Sequence, residues 1–260
     1  MGYRNLIVEA SERIATVVVN RPKSLNALNR ETMRELAAAL QDVAQRDDVG
    51  AILITGAGEK AFVAGADISE MREMTAVQAY DFARLGQSVL AFIEHMPRPV
   101  IGVINGYALG GGCELAMACD ILVASEDAKF AQPEVNLGII PAWGGTQRLS
   151  RLVGRNIAKE LVLTGEMISA RRAYEIGLVN RVVPQAALME TARKIARKIL
   201  GKGPFALSTA KSVMNRGIDL PLESACALEA HAFAVGFSTA DRTEGMTAFL
   251  EKRKAVFAGK

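Results

Sequence analysis

The stretch Pro99–Asp120, PVIGVINGYALGGGCELAMACD, decides how this chain is read. Val100, Ile101, Val103 and Ile104 form a nearly continuous β-branched run, the pattern of a strand covered on both faces, whereas Leu115, Ala116 and Ala118 suit a short packed helix. Gly110, Gly111 and Gly112 join the two. Without Cβ atoms they let the backbone approach a ligand closely and aim the first free amides of the helix at a partly negative oxygen. Glu114 is the only formal charge between Arg98 and Asp120, and an acid in so apolar a setting requires a partner or a task. The residues alone leave two readings open: a ligand site built on the glycine turn, or close packing around a satisfied core carboxyl.

The 260 residues, 50% hydrophobic and 23% charged, suffice for one large core with a small appendage. A net charge of +3, with basic residues clustered only in Arg193–Lys202 and Glu251–Lys254, argues against a nucleic-acid footprint. Cys113, Cys119 and Cys226 are odd in number and lack CxxC spacing, and Met1–Asn5 carries no apolar signal core. Reduced thiols and a cytoplasmic location are therefore expected. His95 and His231 assemble neither a metal-ligand pattern nor a histidine-dependent nucleophile triad, so no metal is expected. The central apolar run is broken by Asn105, Glu114 and the glycine triplet and reads as core, not as a membrane span.

Along the chain, Asn5–Ala10 and Arg13–Asn20 read as a hairpin joined at Ser11–Glu12. Asn29 caps a helix with Met33, Leu36, Ala37, Leu40 and Ala44 on one face. Ala51–Thr55 is a buried strand, and Ala61–Asp67 a second one ending in a small-residue turn. Thr75–Met96 is a helix stopped by Pro97 and Pro99. After the central helix come a strand at Ile121–Ala124, a proline-fixed turn at Pro133–Glu134, and a glycine-rich segment, Gly138–Thr146, before a helix with Leu149 and Leu152. Ser169–Glu175 is a short helix and Leu178–Val183 the last strand. Four helices follow, at Ala186–Leu200, Phe205–Arg216, Leu220–Phe237 and Thr239–Phe257. The expected organisation is an α/β core over residues 1–200 and an all-helical region over 201–260, joined at Gly201–Pro204.

Five ordered stretches together resemble the crotonase, or enoyl-CoA hydratase, family: Asn20-Arg21-Pro22 with Leu25-Asn26-Ala27-Leu28, AFVAGADISEM, NGYALGGGCELAMACD, FAQPEVNLGIIP and GGTQRL. The resemblance runs from Val18 to the C-terminus. It implies a spiral of repeated strand-strand-helix (ββα) turns with a C-terminal helical trimerisation region, giving a homotrimer or homohexamer. It also implies activation of acyl-CoA thioesters, as in fatty-acid β-oxidation, with CoA as part of the substrate and no separate cofactor. The family's oxyanion hole falls on the backbone amides of Ala66 and Gly111, and its two hydratase carboxyls on Glu114 and Glu134. By this likeness Glu114 helps activate water and Glu134 delivers the α proton. Lys23, Ser24 and Leu25 are then expected near the adenine, Ala66, Asp67, Ile68 and Ser69 along the pantetheine, and Lys60 near the phosphates. Phe249 and Lys252 of a neighbouring subunit would cover the nucleotide. Ser69 stands where hydratases often carry lysine. The implied activity is short-chain enoyl-CoA hydration. Enoyl-CoA isomerase, which typically needs only the acid at Glu134, is the nearest rival, and a non-catalytic RNA-binding relative a more distant one. Trp143 occupies a place where the family more often has a small residue, so it is expected either to wall the acyl pocket or to pack into the core or a subunit interface.

Overall fold

The computed structural model describes residues 2–260. Strands β1 (Leu6–Ser11) and β2 (Ile14–Val19) pair antiparallel, with Ser11 opposite Ile14. Their two-residue loop is therefore Glu12–Arg13, one position later than the sequence suggested. Both loop residues take positive φ, 53° and 63°, the backbone twist a tight hairpin favours. Helix α1 (Arg30–Gln45) starts where the Asn29 side chain accepts from the Thr32 amide.

Three turns of one motif follow. Strands β3 (Ala51–Gly56) and β4 (Ala61–Val63) lead through a short helix, α2 (Ile68–Met71), to α3 (Ala76–His95). Strands β5 (Val100–Ile104) and β6 (Tyr107–Leu109) lead to α4 (Gly111–Ala118), and β7 (Ile121–Ser125) and β8 (Lys129–Ala131) to α5 (Gly145–Val153). In each turn the first strand joins a six-stranded sheet, ordered β1-β2-β3-β5-β7-β10, and the second joins a four-stranded sheet, ordered β4-β6-β8-β9. Successive turns pair in parallel, with Ile54 beside Gly102 in the larger sheet and Ala108 beside Phe130 in the smaller. The ββα spiral implied by the family resemblance is thus present. Helix α6 (Arg155–Thr164), strand β9 (Ile168–Ser169), helix α7 (Ala170–Glu175) and edge strand β10 (Arg181–Val183) complete it. Leu178 and Val179, expected within that last strand, instead donate their amides to the Ala173 carbonyl at 2.9 and 3.2 Å and close the end of α7.

The larger sheet is covered on both faces, which is why β5, and β3 apart from Thr55, are apolar. One face packs with α1, α3 and α4 in the main core. On the other, Leu53, Ile101, Val103 and Val123 meet Leu188, Ala192 and Ala196 of helix α8 (Leu188–Leu200). Each fully buried aliphatic side chain of this kind contributes about 1.5–3 kcal/mol.

Helices α9 (Pro204–Gly217), α10 (Leu222–Gly236) and α11 (Ala240–Leu250) form the C-terminal region. Helix α9 is fastened to the end of α3. Lys211 Nζ donates to the Ile93 and Arg98 carbonyls at 2.9 and 3.1 Å and to Asp120 Oδ2 at 2.8 Å. Asn215 Nδ2 donates to the Glu94 carbonyl at 2.7 Å. Neither α9 nor α10 has a fully buried residue, and Met214, Ile218, Leu222, Phe233, Phe249 and Leu250 are exposed. Helix α11 ends at Leu250 instead of the expected Phe257, because Arg253 turns back to both carboxylate oxygens of Glu244 and the Val256 amide donates to Glu244 Oε1 at 2.8 Å. Among the described residues no helix is long and apolar enough to cross a membrane.

Candidate active site

The glycine turn between β6 and α4 is shaped by what stands against it. Gly110 has φ 50° and ψ −122°, a backbone state that suits glycine, and a Cβ there would lie 2.8 Å from Glu134 Oε1. A Cβ on Gly112 would lie 1.9 Å from the Val63 carbonyl oxygen, so the third glycine serves the approach of β4 to the helix. The turn thus brings the start of α4 and the Glu134 carboxyl to one point.

Glu114, in the first turn of α4, is 2% exposed. Its Oε1 accepts the Trp143 amide at 2.8 Å and the Gly145 amide at 2.6 Å. Burial pushes its pKa from 4.5 up to about 7, and the charge of Glu134 adds to this. The amides of Gly145 and Trp143 and the Arg148 guanidinium pull the other way. Glu134 opens a short 3₁₀ turn, Glu134–Leu137, after Pro133, and burial lifts its pKa to about 6. The buried Gln132 amide lies against the Glu134 carboxyl, and the orientation that satisfies both groups turns its nitrogen toward the two carboxylate oxygens.

The loop that supplies Glu114 with its donors is itself tied to α3. Arg148 donates from Nε and Nη2 to Glu94 at 2.7 and 2.6 Å and from Nη1 to the Trp143 carbonyl at 2.7 Å. Gln87 Nε2 donates to the Ala142 carbonyl at 2.8 Å. The sequence reading missed Gln87, Glu94, Gln132 and Arg148 as supports of the site. Only Gln132, two positions before Glu134, had a usable signal in its spacing.

The second backbone donor candidate, Ala66, sits in a segment held against the Leu25–Leu28 loop. Leu28 donates to the Gly65 carbonyl at 2.8 Å, Asp67 to Leu28 at 3.0 Å and Ala64 to Leu25 at 3.1 Å. Arg21 reinforces this by donating from Nη2 to Asp67 Oδ2 at 2.9 Å. Ser69 donates to Asp67 Oδ1 from its amide at 3.2 Å and its hydroxyl at 2.6 Å. The Ser69 bonds first, and then Arg21, hold the Asp67 pKa below the usual carboxylate range. Among the described residues the Ala66 and Gly111 amides donate to no protein acceptor.

A cavity of about 650 Å³ unites these groups. Ala66, Gly111, Glu114 and Glu134 line it together with Ile68 and Met71 of α2, Met74 after it, and Phe82 and Ala83 of α3. Other candidate residues lie outside this lining. Lys23 and Ser24 are exposed on the turn Pro22–Ser24, and Leu25 follows with a φ of 50° and its carbonyl bonded to Ala64. Lys60 is exposed at the start of β4. Asp67 and Ser69 bond each other in the segment after Ala66, and Phe249 and Lys252 are exposed at the end of α11. Trp143 is among the residues that line the cavity and is only 3% exposed, with its ring packed against Phe82 and beside Gly86 and Gly111.

The profile of the enoyl-CoA hydratase/isomerase family matches residues 9–260. A crotonyl-CoA hydratase of Syntrophomonas wolfei is 50% identical over 260 residues, covering 100% of both chains. A short-chain-enoyl-CoA hydratase of Clostridium acetobutylicum is 50% identical over 254 residues, covering 98% of this chain and 97% of its own. The crystal structure of an enoyl-CoA hydratase from Bacillus anthracis superposes with a TM-score of 0.95 at 40% identity, covering 99% of this chain and 100% of that one. Sequence and fold agree along the whole length: the chain belongs to the enoyl-CoA hydratase/isomerase family.

Proposed function

We propose that the protein is an enoyl-CoA hydratase that adds water across the 2,3 double bond of a short-chain 2-enoyl-CoA to give the 3-hydroxyacyl-CoA. The observation that carries this reading is the meeting of two buried acids and two unengaged backbone amides in one cavity. The names of the two relatives at 50% identity support the same substrate class.

When hydroxide character develops at C3, negative charge passes through the conjugated system to the thioester oxygen. The amides of Ala66 and Gly111 receive that charge, and fixed donors of this kind contribute about 3–4 kcal/mol each to the transition state. The carboxylate of Glu114 takes a proton from water as its oxygen bonds C3, and the carboxyl of Glu134 gives a proton to C2. The acids together lose and gain one proton, so a pair sharing a single proton is the competent state. Burial raises both acids toward neutral pH, which supports a pair that holds one proton there. A buried second acid with donors of its own at Trp143 and Gly145 favours hydration over isomerisation, which one acid can perform.

The reaction in this form uses water, the acids and the amides, with no separate cofactor. The exposed apolar side chains of α9–α11 support assembly as a homotrimer or homohexamer, and the unpaired Cys113, Cys119 and Cys226 support a reducing, cytoplasmic setting. Incubation with crotonyl-CoA tests the reading: absorbance of the conjugated thioester should fall as 3-hydroxybutanoyl-CoA forms. An assembled, folded preparation that leaves crotonyl-CoA unchanged would overturn it.

A further inference from the structure

Trp143 is the only tryptophan in the chain, and two helices are hollowed to receive it. A Cβ on Gly86, in the interior of α3, would stand 2.1 Å from the indole Cδ1 and 2.2 Å from Nε1. One on Gly111, at the start of α4, would stand 2.4 Å from Cζ3. Glycine is less favourable than alanine inside a helix, and here it makes room for the ring. Phe82, one turn before Gly86, meets the indole edge to face, with centroids 5.2 Å apart and planes at 74°. The backbone of Trp143 is fixed as firmly as its ring. Its amide is on Glu114 at 2.8 Å, its carbonyl on Arg148 at 2.7 Å, and the preceding carbonyl on Gln87 at 2.8 Å.

We propose that Trp143, wedged in the notch between Gly86 and Gly111, is the end wall of the acyl cavity and restricts this enzyme to short acyl chains. The inference rests on the hydratase reading above. Substrate carbons must react beside Glu114, and the Trp143 amide is bonded to that carboxyl, so a chain growing past the reacting carbons meets a side chain held between Gly86 of α3 and Gly111 of α4 and fixed at its backbone. In an open apolar cavity each added methylene would improve kcat/KM roughly fourfold. Against a fixed wall it brings no gain or a loss.

The test compares crotonyl-CoA with trans-2-octenoyl-CoA in wild type, Trp143→Leu and Trp143→Ala. Wild type should prefer the crotonyl ester by at least about tenfold in kcat/KM, and both substitutions should raise the octenoyl-to-crotonyl ratio at least about tenfold. A wild-type enzyme that hydrates both esters equally, or a ratio within about twofold of wild type in a folded variant, overturns the proposal. Failure of wild type on both esters overturns the hydratase reading instead. Because both variants remove a core ring, the unaltered protein supplies a second readout. Saturable binding of butanoyl-CoA should change the emission of this single tryptophan, free CoA should not, and octanoyl-CoA should bind at least about tenfold more weakly. Competitive inhibition by butanoyl-CoA with no change in emission would place the ring away from the acyl chain and refute the proposal.

Discussion

Replacing Glu114 by Gln should cripple turnover and stabilise the fold. In the unfolded chain this carboxyl ionises near its ordinary 4.5, and in the folded protein only near 7, chiefly because it is buried. The folded state therefore holds the proton more tightly, and its stability falls as pH rises from about 4.5 and levels off above about 7. A displacement of that size costs the ionised native state on the order of 3 kcal/mol. Gln is neutral and nearly isosteric, and its Oε1 can still accept the amides of Trp143 and Gly145. At pH 8 the variant should thus be more stable than wild type by about 2–3 kcal/mol, at roughly 2–4 °C in Tm per kcal/mol, and the gain should vanish by about pH 5. Turnover of crotonyl-CoA should fall by a factor on the order of 10² to 10⁴. Thermal melts at both pH values, at one protein concentration so that assembly contributes equally, are to be read beside the crotonyl-CoA assay. A variant less stable than wild type at pH 8 would refute the desolvation argument, and near-normal turnover would remove Glu114 from the chemistry.

With one acid raised to about 7 and the other to about 6, kcat/KM for crotonyl-CoA should peak between these values, falling in acid as the pair takes a second proton and in base as it loses its first. A profile flat from about pH 5 to about pH 9 would contradict the shared-proton mechanism. Gly110→Ala should cost about 1–3 kcal/mol of stability through backbone strain and lower kcat by at least about 10², because the new Cβ, 2.8 Å from Glu134 Oε1, displaces that carboxyl. Activity within a few-fold of wild type would show that Glu134 has another working position. Arg148→Met should cost about 2–3 kcal/mol in urea melts, less than a fully buried pair because Glu94 keeps some water, and adding Glu94→Leu should recover part of it. Turnover should stay low in the double variant, since the Trp143 carbonyl has lost its anchor, and restored turnover would sink that role for Arg148.

What the sequence made legible of the fold follows from burial. Val100–Ile104 and Ala51–Ile54 are covered on both faces, so their apolar runs are unbroken and read as strands at once. The smaller sheet offers no such pattern. Its strands Tyr107–Leu109 and Lys129–Ala131 have only three residues each, too few for a period, and parallel neighbours distant in sequence make them strands. Helix α6 escaped notice for a related reason: only Ala158 and Leu161 are buried on it. At the C-terminus the error ran the other way. Val256 and Phe257 prolong the apolar spacing of α11, but the Arg253–Glu244 pair and the amides of Ala258 and Gly259 on Asp241 fold the chain back.

The site was legible as missing side chains. Glu114 drew attention because it is charged where its neighbours are not, but its partners are the amides of Trp143 and Gly145, a kind of donor that nearly every residue carries and no letter of the sequence marks. The same holds for Ala66 and Gly111. At the Ala66 and Gly111 amides, which donate to no protein acceptor among the described residues, small residues leave the approach open. Gly86 extends the rule to a remote position. Within the helical pattern Thr75–Met96 it is simply a weak helix former, and its use emerges only when the Trp143 ring arrives from another turn of the spiral to fill the space. A glycine that local propensity disfavours is, in this protein, the imprint of a partner elsewhere in the chain. The partners at Gly110 and Gly86 are the Glu134 carboxyl and the Trp143 ring, one proposed to move the proton and the other to limit the chain it acts on.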